Sequence, residues 1–281
     1  MSYAFPDSLV STNWVKENLK NPRVRIVEID VDTKQYGAGH IPGAVAFNWQ
    51  TQLQDQVSRD IISKEHFEQL LSDAGINPTD TVVLYGDNNN WFAAYGFWLF
   101  KYYGHADVRL MNGGRSKWLA EDDKPLTADA PSFSRSNYKV TTIRTELRAK
   151  VPQVLEASST RSSNLIDVRS NDEFTGKVIA PPGMTETAQR AGHVPGAKNV
   201  PWAQTVNQDG TFKSPEDLRT LYKNAGLIEE KPTIAYCRIG ERSSHTWFVL
   251  KYLLGVKDVK NYDGSWTEYG NLIGAPIEKS V

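Results

Sequence analysis

Apolar residues along this chain fall into two rhythms. The first is a set of short, nearly continuous apolar runs: Arg25-Ile26-Val27-Glu28, Thr81-Val82-Val83-Leu84-Tyr85, Asn164-Leu165-Ile166-Asp167 and Thr233-Ile234-Ala235-Tyr236. Runs of this length without polar alternation predict parallel strands buried on both faces. The second rhythm has helical spacing and covers residues 64–71 and 215–222, with Ser63 and Ser214 placed as N-caps. Strands alternating with helices predict layered α/β domains.

The pattern occurs twice. His40-Ile41-Pro42-Gly43-Ala44 returns as His193-Val194-Pro195-Gly196-Ala197. Each copy follows a strand run that ends in an acid, Glu28 or Asp167, and precedes a second run ending in Tyr85 or Tyr236. Both halves then carry an aromatic helical segment, a late Val run, and a Gly-containing turn at 112–114 or 263–265. From residue 81 onward the halves align without gaps. A single long period is not a solenoid; it predicts two copies of one domain. The expected boundaries are a first domain at 1–124, a linker at 125–140 rich in Pro, Asp and Ser, and a second domain at 141–281. The second copy has an additional segment at 176–190, expected as a surface loop near the second site.

Composition narrows the function classes. Of 281 residues 40% are hydrophobic, enough for two cores. Lys and Arg total 32 against 33 Asp and Glu, so no global basic excess points to nucleic acid or an anionic membrane surface. The opening residues lack a basic segment followed by an apolar run, and no stretch approaches the ~20 apolar residues of a membrane span. A cytoplasmic protein is expected. The chain has one cysteine, which excludes an intramolecular disulfide, a Cys-rich zinc site and a CxxC pair.

That cysteine lies where chemistry is expected. Cys237-Arg238-Ile239-Gly240-Glu241-Arg242-Ser243 follows the strand run 233–236 and precedes a helical stretch at 245–254. A strand C-terminus leading into a helix N-terminus is the usual ligand position in open α/β sheets. Free N–H groups, a loop that Gly240 lets curl inward, and the charges of Arg238 and Arg242 predict a depressed thiol pKa and an anion cradle. Glu241 would oppose an anion and is expected to point outward. In the first half, Gly86 stands at the position of Cys237, followed by Asp87-Asn88-Asn89-Asn90, so the first copy has the scaffold without the nucleophile.

The chain resembles the tandem-domain rhodanese family, the thiosulfate sulfurtransferases. The two HxPGA motifs resemble the family's N-terminal signature, and residues 261–269 (Asn-Tyr-Asp-Gly-Ser-Trp-Thr-Glu-Tyr) its C-terminal one. Residues 237–243, Cys-Arg-Ile-Gly-Glu-Arg-Ser, are similar to the active-site loop of bacterial, particularly actinobacterial, members. The resemblance implies two tandem α/β domains, each a mainly parallel sheet flanked by helices, with the first catalytically inactive. It implies Cys237 as the sulfur carrier, with Arg242 as a substrate contact within a loop formed by Arg238, Ile239, Gly240, Glu241 and Ser243. It implies a small-molecule donor, thiosulfate, a thiophilic acceptor such as cyanide or a thiol, no metal or organic cofactor, and a monomer or weak homo-oligomer. Vertebrate-type members carry a further substrate-binding Arg; the matching place here is Glu173, with Arg169 or the 176–190 segment as candidates to replace it.

Three other readings compete. A 3-mercaptopyruvate sulfurtransferase resembles this chain throughout, but its loop carries small neutral residues after the Cys, whereas two guanidinium groups suit a compact oxyanion. A Cys-dependent phosphatase uses C-x5-R rather than the C-x4-R found here. A non-enzymatic persulfide carrier would use the same cysteine without turnover. His40 and His193 recur in both halves although only one has a nucleophile, so they are expected to be structural, as are Glu28 and Asp167. His245, and Trp91 and Phe92 of the first half, are expected to pack.

Overall fold

The computed structural model describes all residues except 1, 33, 184–186, 229 and 280–281. The chain forms two compact units. The N-terminal unit comprises Pro6–Arg144 with Gln208–Phe212, and the C-terminal unit comprises Met1–Phe5, Thr145–Asn207 and Lys213–Val281.

In the N-terminal unit five parallel strands stand in the order β1-β5-β4-β2-β3: β1 Leu9–Val10, β2 Val24–Asp30, β3 Val45–Asn48, β4 Thr81–Tyr85 and β5 Val108–Met111. The C-terminal unit repeats this with four strands in the order β7-β6-β8-β9: β6 Asn164–Asp167, β7 Lys198–Asn199, β8 Thr233–Tyr236 and β9 Val259–Tyr262. All four expected strand runs are strands. β6 and β8 are buried at every position, which is why their sequences lack polar alternation.

Helices cover the sheets as the periodicity predicts. Lys64–Asp73 begins at Ser63, whose side chain accepts from the His66 N–H. Pro215–Asn224 begins at Ser214, whose side chain accepts from the Asp217 N–H. Both caps satisfy one of the orphan N–H groups of a first turn.

Residues 125–144 belong to the N-terminal unit, and the division falls between Arg144 and Thr145. The stretch read as a linker is instead bound along that unit. Thr127 pairs with His40, the Ser136 N–H donates to the Ser72 carbonyl, and the Val140 N–H donates to Glu68. Tyr138 is buried and hydrogen-bonded to His105. Backbone bonds, bonds and ion pairs to side chains, and the buried Tyr138 and Val140 hold this stretch, so it shows no apolar period.

Candidate active site

In each sheet the strand order reverses between the two central strands, β2 and β4 or β6 and β8. Beyond the C-terminal ends of such a pair lies the crevice where open α/β sheets bind ligands. In the C-terminal unit Cys237 follows β8, while Arg169 and Glu173 follow β6. The loop at Cys237 feeds the helix Glu241–Phe248, which continues through a wider turn at Val249–Leu253.

Gly240 sets the loop's path. Its φ is +102°, and a β-carbon there would stand 2.8 Å from the Asp263 Cα. Only glycine fits without moving that backbone. The turn brings the Gly240 N–H onto the Cys237 sulfur at 3.1 Å. Ser243 Oγ lies 3.6 Å from the sulfur and Ser265 Oγ 3.9 Å. Ser265 also accepts the Cys237 N–H at 3.0 Å, from a left-handed backbone with φ 51°.

Two expectations about this loop are overturned. Glu241 does not point outward: it is 1% exposed, and its Oε2 lies 3.4 Å from Cys237 Sγ. The helix that carries it is buried at every residue, so no solvent-facing side is available to its first turn. The thiol is also not driven toward thiolate. Burial pushes its pKa up, the neighbouring Glu241 carboxylate pushes it further, and the Arg242 charge and the hydrogen bonds from Ser243 only oppose this.

Arg242 has a partner that the sequence did not reveal. Its guanidinium makes two bonds to Glu173, at 3.0 and 3.1 Å, and its Nε lies 3.6 Å from Glu241. Burial alone would raise the Glu173 pKa, but the Arg242 hydrogen bonds and charge outweigh it and hold this carboxyl below its usual range. Glu173 thus stands where a substrate-binding Arg was sought, and it partly neutralises the arginine that remains. Arg169 does not replace it. Its guanidinium is fully buried, paired with Asp167 at 2.6 Å and lying 4.5 Å above the Trp266 ring. Within 176–190, Arg190 binds the carbonyls of Tyr269, Gly270, Leu272 and Ala275 and so fixes the C-terminal turn; residues 184–186 lie outside the described ones. Arg238 and Ile239 are buried in the loop.

The histidines are structural, as expected. Each HxPGA imidazole bonds a backbone carbonyl and stacks on the ring of the same residue: His40 on Tyr36, His193 on Phe174. His245 is buried, with its ring edge-on to Trp202 at 5.4 Å. Phe92 is buried against Trp49, and Trp91 packs on Phe92.

The first copy of the site is built differently. The Gly86 N–H is bound by the Asn90 side chain, and the Asp87 N–H by the Asp30 carboxylate. Asn88, Asn89 and Asn90 all have left-handed backbones, a geometry that Asn tolerates better than most residues.

The family model described as "Rhodanese-like domain" matches residues 11–121 and 150–272. The chain belongs to the rhodanese family. A Haloferax volcanii protein named "Putative thiosulfate sulfurtransferase" is 55% identical over 278 residues, covering 97% of this chain and 96% of the relative. The "Sulfur carrier protein TtuD" of Thermus thermophilus is 54% identical over 283 residues, covering 99% of each. Among solved structures, SseA from Escherichia coli, a 3-mercaptopyruvate sulfotransferase of the same fold, superposes with a TM-score of 0.81 at 28% identity, covering 92% of this chain and 98% of that one. The chain is a tandem rhodanese with sulfurtransferase character. Among the described residues no helix is long and apolar enough to cross a membrane.

Proposed function

We propose that this protein is a thiosulfate sulfurtransferase that carries sulfur as a Cys237 persulfide in its C-terminal domain, the N-terminal domain being catalytically inactive. The Cys237 thiolate attacks the outer sulfur of thiosulfate. A new S–S bond forms as the donor's S–S bond breaks, and sulfite leaves with the electron pair. A thiophilic acceptor then attacks the terminal sulfur and restores the thiolate. The observation that carries this reading is the seat of the sulfur: Cys237 ends a central strand and receives the Gly240 N–H at a helix N-terminus, with two serine hydroxyls beside it. Gly86 at the matching position supports an inactive first domain. The family relatives named for thiosulfate support the donor.

Intact-protein mass spectrometry after thiosulfate treatment tests it. One added sulfur is expected on the wild type and none on Cys237→Ala. Faster turnover with 3-mercaptopyruvate than with thiosulfate would replace the donor. A second reading, a persulfide carrier for a partner protein, is favoured by the pairing of Arg242 with Glu173, which leaves less charge to hold a small dianion. Its signature is stoichiometric loading of Cys237 without multiple turnover to cyanide.

A further inference from the structure

The inward carboxylate of Glu241 is not accounted for by the sulfur chemistry as written above. A buried acid beside a nucleophile that must become anionic raises the barrier unless it takes part in the reaction. Its geometry allows this. Glu241 Oε2 lies 3.4 Å from Sγ, close enough for the thiol proton to be donated to it. The serine hydroxyls nearby have closer acceptors: Ser243 Oγ lies 2.7 Å from Asn261 Oδ1, and Ser265 Oγ donates to the Tyr262 carbonyl at 2.7 Å. The charged groups around the pair are Arg242, facing Glu241 and itself held by Glu173, and Arg238 within the loop. Asp167 with Arg169, and Asp263 with Arg148, form closed ion pairs on the flanking elements.

We infer that Cys237 and Glu241 share one proton, which sits on the thiol when the site is empty and on the carboxyl when Cys237 carries sulfur. The inference rests on the proposed sulfur transfer at Cys237. In the resting site Sγ–H donates to the carboxylate. As the donor approaches, the proton passes along that hydrogen bond to Oε2, and the thiolate attacks the donor's outer sulfur. The S–S bond to Sγ forms, the donor's own S–S bond breaks, and sulfite departs with the electron pair. The terminal sulfur now bears the negative charge, and the neutral carboxyl of Glu241 donates a hydrogen bond to the persulfide. When an acceptor removes the sulfur, the thiolate left behind takes the proton back. The pair carries one negative charge before and after loading, so the charge facing Arg242 does not change. In a dry site, where unpaired charge is costly, that constancy lets the same cradle hold both states. Glu241 is therefore a catalytic residue: it touches the reacting atom and moves its proton.

Infrared difference spectroscopy reads the proton directly. The loaded-minus-resting spectrum of the wild type should show a protonated-carboxyl C=O band, which shifts when glutamate is carbon-13 labelled and is missing from Glu241→Gln. Absence of that band in a loaded wild type overturns the proposal. The resting state gives a second readout. The pH midpoint for alkylation of Cys237 by iodoacetamide should fall by ~1–3 units in Glu241→Gln, because a carboxylate beside the sulfur is gone. An unchanged midpoint overturns the proposal. Glu241→Asp, which keeps the acid, should keep a midpoint above that of Glu241→Gln. Loading is done in parallel with thiosulfate and with inorganic polysulfide. If thiosulfate fails to load the wild type while polysulfide succeeds, the donor proposed above falls, and the polysulfide-loaded spectrum decides the role of Glu241. Should Glu241→Gln not fold, the labelled wild-type band decides alone.

Discussion

Ser265 holds a backbone that glycine would hold at less cost. Its φ of 51° is left-handed, and the matching residue of the first unit is Gly114, with φ 59°. A residue with a β-carbon gives up ~1–2 kcal/mol there. What the hydroxyl supplies in return is an acceptor for the Cys237 N–H, which no strand partner satisfies. Ser265→Ala keeps the strain and orphans a buried N–H, so it should lower unfolding stability by ~1–3 kcal/mol. Ser265→Gly orphans the same N–H but relieves the strain, and should lose less. Chemical denaturation of both variants checks the order, wild type above Gly above Ala. Glu173 permits a sharper expectation. Removing it in Glu173→Ala leaves the Arg242 guanidinium buried without its two-bond partner, at a cost of ~3–5 kcal/mol by the same measurement. Of these residues, Cys237 and Gly240 were legible in the sequence, because a lone cysteine and a loop glycine at a strand–helix junction have few other uses. Glu241 and Glu173 were not. A carboxylate is placed inside only when a donor waits for it, and the donors here, a thiol proton and a guanidinium, come from other turns of the chain. One signal existed: Trp247 to Leu250 form an unbroken apolar run, and Glu241 stands in the first turn of the helix leading to it, which is buried at every residue.

At the scale of elements the two units solve one problem twice. One central strand of each unit carries an acid, Glu28 within β2 and Asp167 at the end of β6, opposite the tyrosine that ends the neighbouring strand. Each tyrosine hydroxyl accepts the backbone N–H after the conserved-in-both-halves histidine, Ile41 or Val194, at 3.2 or 3.1 Å. Each acid needs a buried cation, and the cation comes from different elements. In the C-terminal unit Arg169, two residues past Asp167, pairs with it and reaches the Gly192 carbonyl. In the N-terminal unit Arg115, from the helix Gly114–Ala120 after β5, pairs with Glu28 and reaches the Gly39 carbonyl. The residue matching Arg169 is Asp30, and the residue matching Arg115 is Trp266. The guanidinium keeps its two contacts, while the element that carries it changes. The sequence showed the acids as a pair and the histidines as structural, because both recur in register. It hid the arginine exchange, because neither arginine has a counterpart at its own position. Arg115→Ala should therefore destabilise the N-terminal unit by ~3–5 kcal/mol, since Glu28 is buried and loses its cation. Segment-resolved hydrogen exchange should show the loss in β2 and β4, with β6 and β8 unchanged.

For the whole molecule the duplication was legible, since the order and spacing of strands, motifs and turns repeat. The division between the units was not, since residues 125–144 are held by scattered backbone and side-chain bonds, ion pairs and the buried Tyr138 and Val140 rather than by a periodic apolar face. The two units also differ in how pH acts on them. In the N-terminal unit Asp30 is buried with Asp87 beside it, and burial and then that charge push its pKa from 3.8 to about 8. An acid whose folded pKa is raised binds its proton more tightly folded than unfolded. Its unfavourable effect on stability grows as pH rises from the unfolded pKa and is complete above the folded one. Two other groups in this unit bound the window. Burial lowers the pKa of His105 from 6.5, so that group alters stability below 6.5. Burial and then the Arg144 charge lower that of Lys101 from 10.5 to about 8, so the cost of burying its charge is constant below that value and is relieved as pH rises through about 8. Between 6.5 and 8, Asp30 sets the trend together with Glu28 and Asp87, whose pKa values burial also raises. In the C-terminal unit the paired Glu173 has a lowered pKa, so its contribution is fully present throughout that window and is lost only as pH falls below the ordinary carboxylate range. Raising the pH from 6.5 to 8 should therefore weaken the N-terminal unit by ~1.4 kcal/mol per pH unit at the start for one proton, falling to about half that slope at pH 8, and leave the C-terminal unit nearly level. Hydrogen exchange, corrected for the intrinsic pH dependence of the amides, reads this as falling protection in β2 and β4 against constant protection in β6 and β8. Asp30→Asn, a permanent mimic of the protonated acid, should flatten the trend and leave the N-terminal unit more stable than wild type at pH 8. Equal slopes in the two units would mean that the Asp30 proton is bound no more tightly folded than unfolded. Ionising the acid that stands in the place of Arg169 would then cost the N-terminal unit no stability.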